Sequence, residues 1–111
     1  MKTSISQALK CLPAPPTAKY PQGEPFVTMM AGGTMSVEVY APKGEDLQQP
    51  HTQDELYFIH SGSGQIVING QRFDCAAGDA FLVAAGVEHR FENFSNDFVT
   101  WVVFYGPQGG E

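Results

Sequence analysis

The sequence predicts an all-β domain, an antiparallel sandwich or barrel of eight or so short strands. Three observations carry that expectation. Short runs rich in β-branched and aromatic residues recur at near-regular spacing between Phe26 and Tyr105. Turn signals separate them, drawn from 12 Gly and 8 Pro scattered along the chain. No long stretch of helical periodicity interrupts the pattern. At 111 residues and 42% apolar composition, the chain can bury one hydrophobic core but not two.

The first element is the exception. Ser4-Ile5-Ser6-Gln7 has the form of a capping box, and Ile5, Ala8, Leu9 and Leu12 follow at helical spacing. One or two helical turns are therefore expected from about Ser4 to Cys11, ended by Pro13. Five prolines from Pro13 to Pro25 favour extended chain, an ordered arm or a linker. Residues 1–25 are thus expected to form a helix and arm, and 26–105 the barrel. Residues 106–111, Gly-Pro-Gln-Gly-Gly-Glu, read as a flexible tail.

Within the barrel, Phe26–Met30 reads as a strand and Ala31–Thr34 as a Gly-rich turn. Met35–Tyr40 alternates apolar and polar residues, the period of a half-buried strand. Glu55–His60 is the next strand, closed by Ser61-Gly62-Ser63-Gly64. Asn69-Gly70 between Gln65–Ile68 and Gln71–Phe73 is a strong hairpin signal. Ala80–Val83, His89–Asn93 and Phe98–Tyr105 complete the set, with turns at Gly78-Asp79, Ala85-Gly86 and Ser95–Asp97.

Charge narrows the partners. Twelve carboxylates against six Lys and Arg give a net charge of −6 with no basic stripe, so neither nucleic acid nor an acidic membrane surface is an expected partner. No apolar run resembles a signal peptide or a membrane span, and a cytoplasmic protein with reduced thiols is expected. Cys11 and Cys75 read as packing residues, a single disulfide between them being left open. The apolar stripe from Ile5 to Leu12 is more than a short helix can bury alone, which points to a homodimer with the arm lying across a neighbouring subunit.

The segment that carries chemistry is Gln49-Pro50-His51-Thr52-Gln53-Asp54-Glu55-Leu56-Tyr57. Imidazole and carboxylate suit Fe, Mn, Ni or Zn as a divalent ion, and an amide oxygen can complete such a shell. Residues two apart on a strand share a face, so Gln49 with His51, Glu55 with Tyr57, and His89 with Phe91 could converge inside a barrel. His51, Glu55 and His89, with Gln49 as a fourth, are the candidate metal ligands. Tyr57 is the candidate catalytic acid or base. Met35, Tyr57, Phe81, Phe91 and Trp101 are expected to line a pocket or fill the core, and His60 to face away. Only Arg72 and Arg90 follow Lys43, too few cations near the motif to hold a phosphate.

These residues resemble the cupin superfamily, in particular its small single-domain members. Half of the first cupin motif stands as His51, three residues, Glu55, six residues, Gly62. The second stands as Gly78, five residues, Ala84, Ala85, Gly86, two residues, His89, three residues, Asn93. Fifteen residues separate the two. Gln49 takes the place of the first motif's leading histidine, its opening glycine is unmatched (Gly44 is off by one), and Ala84 replaces a proline. A Gln-x-His pair with a Glu and a later His is similar to the zinc shell of phosphomannose isomerases, themselves cupin-like. The resemblance implies a double-stranded β-helix, or jelly-roll barrel, holding one divalent metal ion. It implies a metal-dependent enzyme on a small organic substrate, of dioxygenase or isomerase type, or alternatively a non-catalytic module that binds or senses a small ligand.

Overall fold

The computed structural model describes all 111 residues. A short helix, α1 (Ile5–Lys10), precedes eight strands: β1 (Phe26–Gly32), β2 (Met35–Tyr40), β3 (Asp54–Ser61), β4 (Ser63–Ile68), β5 (Gln71–Ala76), β6 (Ala80–Val83), β7 (His89–Glu92) and β8 (Val99–Tyr105). They form two sheets, five-stranded in the order β1-β2-β8-β3-β6 and three-stranded in the order β5-β4-β7. Every pairing is antiparallel. The all-β expectation holds, strand by strand, to within a few residues at each end.

The helix forms where the capping box placed it. The Ser4 hydroxyl accepts from the Gln7 backbone N–H at 3.1 Å, satisfying one of the free donors of the first turn. Cys11 caps the other end and is exposed, so it does not have the packing role expected of it. Cys75 is buried, and both thiols are free.

Both faces of the larger sheet are covered. Its inner face and the smaller sheet enclose a core that includes Tyr57, Ile59, Ile66, Phe91, Phe98 and Val102. Its outer face carries Val39, Ala41 and Val99, with Val27, Met29 and Trp101 alongside, and Ile5 and Ala8 of α1 pack on them. Ile5 and Ala8 of the stripe are therefore buried within their own chain with Leu12 packed beside them, while Leu9 stays 42% exposed. The arm also folds back on itself: Ala14 and Glu24 exchange backbone hydrogen bonds at 2.8 and 3.1 Å.

The C-terminal residues are not free of the body. The Gly109 N–H donates to the Thr52 carbonyl at 2.6 Å and the Glu111 N–H to Asp54 Oδ2 at 3.3 Å. Backbone donors left over after the last strand have found acceptors on the segment leading into β3, in place of the expected loose tail.

Candidate metal centre

Three elements bring the predicted ligands together at one end of the interior. Glu55 and Tyr57 lie on β3 and point inward with Ile59, as alternation requires. His89 opens β7 in the opposite sheet, where it and Phe91 are the buried residues. His51 comes from the irregular segment between β2 and β3. Its carbonyl accepts from the Gly86 N–H at 2.7 Å, and Asp54 Oδ1 accepts from the Ala85 N–H at 2.9 Å. The turn before β7 thus grips the segment that carries His51, and Gly86 makes the turn possible at φ +78°. Gly62 is needed for a different reason: a Cβ there would stand 2.7 Å from Phe98 Cα and 2.5 Å from Ser95 Oγ.

One ligand atom each from His51, Glu55 and His89 lie within 4.8 Å of one another. His89 Nε2 stands 2.7 Å from Glu55 Oε1, and His51 Nε2 stands 4.0 Å from Glu55 Oε2. Ligands about 2.0–2.2 Å from a common ion are separated by roughly 3 Å, so the set brackets the spacing an ion needs. His89 Nδ1 lies 2.9 Å from the Val87 carbonyl, which can only accept. That bond puts a proton on Nδ1 and leaves Nε2 facing the cluster, the way a ligating histidine is usually oriented.

The electrostatics are consistent with a place for a cation. Glu55 is 1% exposed, and its Oε2 is buried with no hydrogen-bond partner. An unpaired carboxylate oxygen in such a setting is costly unless a proton or an ion satisfies it. Burial pushes the His51 pKa below the usual imidazole range; Glu55 opposes this and His89 adds to it. For His89 burial acts in the same downward direction, but the hydrogen bond and charge of Glu55 outweigh it and the pKa is raised.

The candidate catalytic group, Tyr57, is fully buried. Its hydroxyl donates to Gln48 Oε1 at 3.2 Å and lies 3.0 Å from His89 Nε2. Burial, then the charge of Glu55, raises its pKa well above the phenol range, so it stays protonated. Its hydroxyl is a hydrogen-bond donor within the cluster.

A cavity of about 600 Å³ opens beside His51. Val102 and Phe104 of β8, Glu38 and Tyr40 of β2, and Lys19 and Tyr20 of the arm are among its walls. None of the five expected pocket residues lines it. Tyr57 and Phe91 fill the core, and Phe81 packs half-buried against it with its ring 6.1 Å from Phe73. Trp101 faces the helix side of the sheet, and Met35 is 43% exposed. Trp101 was misplaced because the outer face of the sheet is also buried, so apolar character does not distinguish in from out.

Gln49 needs a correction too. It is exposed at the cavity, and the amide that reaches the cluster is that of Gln48, whose Oε1 lies 3.3 Å from His51 Nε2. Residues 41–53 form no strand, so the two-residue rule that aligned Gln49 with His51 does not apply there. Glu38 was missed, although it alternates with Tyr40 on one strand. Burial raises its carboxyl pKa, a hydrogen bond from Thr28 opposes this, and Glu55 raises it further. His60 is exposed, as expected.

The comparisons with known proteins agree with this fold. The family model for the cupin domain, Cupin_2, matches residues 36–105. An uncharacterized protein of Streptomyces coelicolor is 41% identical over 85 residues, which is 75% of this chain and 81% of that protein. A cupin protein of Bacteroides fragilis superposes with a TM-score of 0.54 at 25% identity, over 70% of this chain and 71% of that one. A cupin-2 domain protein of Shewanella frigidimarina gives a TM-score of 0.60 at 19% identity, over 70% and 76%, a likeness of fold alone. No helix is long and apolar enough to cross a membrane.

Proposed function

The chain belongs to the Cupin_2 family of cupin domains, and from that premise we propose that it is a metal-dependent enzyme acting on a small organic molecule. His51, Glu55 and His89 hold one divalent ion, Fe, Mn, Ni or Zn, and the substrate enters the cavity beside His51. The observation that carries this reading is the buried, unpartnered Oε2 of Glu55 between two imidazoles. Metal-free, that atom is a standing penalty; with a cation it becomes a ligand.

A bound divalent ion supplies Lewis acidity toward an oxygen of the substrate. The chain's own contributions are distinct from it. Val102 and Phe104 present an apolar wall, and the Pro-rich arm closes the far side with Tyr20. Glu38 is one of two carboxyls at the cavity; burial raises its pKa, which makes it the candidate for proton transfer. Tyr57, locked between His89 and Gln48, keeps the imidazole in place from beneath. The cavity has Lys19 as its one ammonium and two carboxylates, Glu24 and Glu38, which favours an uncharged or weakly acidic substrate over a phosphorylated one. The reaction class is an oxidoreductase or an isomerase.

One observation favours a second reading, a module that binds a small ligand without transforming it. The cavity groups other than Glu38 with a shifted pKa are the ligand His51 and the phenols of Tyr20 and Tyr40, both pushed further up, so proton transfer would rest on a single side chain. The test is metal content followed by turnover. Protein purified without chelator or affinity tag should carry about one ion per chain and gain melting temperature when Fe²⁺, Mn²⁺, Ni²⁺ or Zn²⁺ is added. Near-zero occupancy with no thermal gain overturns the metal reading. If a bound small molecule is found but the loaded protein neither consumes oxygen nor rearranges it, the second reading replaces the first.

A further inference from the structure

We infer that Gln48 completes the metal centre through its side-chain oxygen, and that the buried carboxylate of Asp46 aims it there. The inference rests on the proposed metal site and adds to it a ligand displaced by one residue from the position the motif assigns. Asp46 is buried and accepts four hydrogen bonds. Two come from outside its loop, from the Tyr40 hydroxyl at 2.6 Å and the Phe91 N–H at 2.7 Å, and they tie the carboxylate to β2 and β7. The other two come from Gln48, its backbone N–H and its Nε2, both at 3.0 Å.

The orientation of the amide follows from chemistry. An ionised carboxylate only accepts, so the Gln48 nitrogen must face Asp46 and the oxygen must face the other way. The other way is the cluster: Oε1 lies 3.3 Å from His51 Nε2 and 3.2 Å from the Tyr57 hydroxyl. Adjacent ligands about 2.0–2.2 Å from one ion stand roughly 3 Å apart, and the Gln48 oxygen and the His51 nitrogen have that spacing. The hydroxyl of Tyr57 takes one lone pair of the amide oxygen and leaves the second for an ion. Gln49, exposed and followed by Pro50, makes no such contact.

The consequence is a harder donor set than three imidazoles and a carboxylate would give. A neutral amide oxygen suits Mn²⁺ and Fe²⁺ relatively better than Ni²⁺ and Zn²⁺, which prefer nitrogen. Metal preference is therefore a property that Gln48 sets.

The experiment measures dissociation constants for Mn²⁺ and Zn²⁺ alone, by competition with a chromophoric chelator. It uses the full chain and its Gln48→Met, Gln48→Glu, Gln48→His and Gln49→Ala variants, with melting of each metal-free protein in parallel. Gln48→Met, similar in size but without the oxygen, is expected to lose about tenfold or more for both ions. Gln48→Glu keeps an oxygen but cannot donate to Asp46 and sets two carboxylates side by side, so it too should lose affinity because its oxygen is no longer aimed at the ion. Gln48→His should tighten Zn²⁺ more than Mn²⁺, and Gln49→Ala should stay within about twofold of the wild type. Full affinity in both Gln48→Met and Gln48→Glu, or a loss confined to Gln49→Ala, overturns the inference while leaving the metal site standing. If Gln48→Met is too unstable to measure, an unchanged Zn²⁺-to-Mn²⁺ ratio in Gln48→His overturns it. A wild-type protein that binds neither ion contradicts the metal reading itself, and this one with it.

Discussion

The two faces of the five-stranded sheet are both buried, yet they are closed by opposite chemistry. On the outer face, Ile5 and Ala8 of α1 meet the apolar side chains of Val39, Ala41 and Val99. On the inner face the core gives way at one end to Glu55, His89, Tyr57 and Asp46, all buried and nearly all hydrogen-bonded. The outer face needs only shape and area, and any well-packed apolar residues would serve it. The inner end takes ionisable groups out of water, which is worthwhile only if they bind something. One sheet is thus closed by apolar packing on one side and by a hydrogen-bonded polar cluster on the other.

The comparison can be broken most forcefully at Asp46. Asp46→Ala strands the donors of Tyr40, Gln48 and Phe91 and is expected to lower unfolding free energy by about 3 kcal/mol or more, at roughly 1–3 kcal/mol for each buried donor left unpaired. Urea denaturation measures it; a change under about 0.5 kcal/mol would mean that water already serves these donors. Next in size is the effect of metal. An ion at a hundredfold its dissociation constant should raise stability by about 2.7 kcal/mol, and a chelator should remove all of that gain. Thermal melting with and without chelator reads it directly.

The outer face should respond to packing alone. Ile5→Ala is expected to lose about 2 kcal/mol of stability while metal affinity stays within about twofold. An equal loss of affinity would show that the two faces are coupled through the sheet. The smallest effect concerns the thiols. Burial, with Asp79 and Asp74 adding to it, pushes the Cys75 thiol up to about 11, so its reactive thiolate is scarce at pH 8. A disulfide reagent should therefore modify Cys11 quickly and Cys75 only above about pH 10 or after unfolding. Two equally fast thiols would show that the edge of the smaller sheet opens.

The same contrast explains how much the sequence revealed. All eight strands were legible, because alternation and turn residues are local signals that tertiary packing did not override here. His51, Glu55 and His89 were legible from motif spacing, and Ser4 from its capping box. Trp101 was not, because a helix six residues long covers the outer face and gives that side of β8 the same apolar character as the core side. Gln48 was not, because the segment before β3 is irregular and has no period to reason from. Its placement depends on a hydrogen bond to Asp46, and the burial of Asp46 depends on Tyr40 and Phe91 from distant strands. No short window of sequence contains that information.

The central claim is that the polar end of the interior is a metal site. Crystals grown with Mn²⁺ or Zn²⁺, with diffraction recorded at the absorption edge of the ion, test it most directly. The expected anomalous map has one peak per chain, about 2.0–2.3 Å from His51 Nε2, His89 Nε2 and the Glu55 carboxylate. Peaks confined to the protein surface, with His89 and Glu55 still in direct contact, would contradict it.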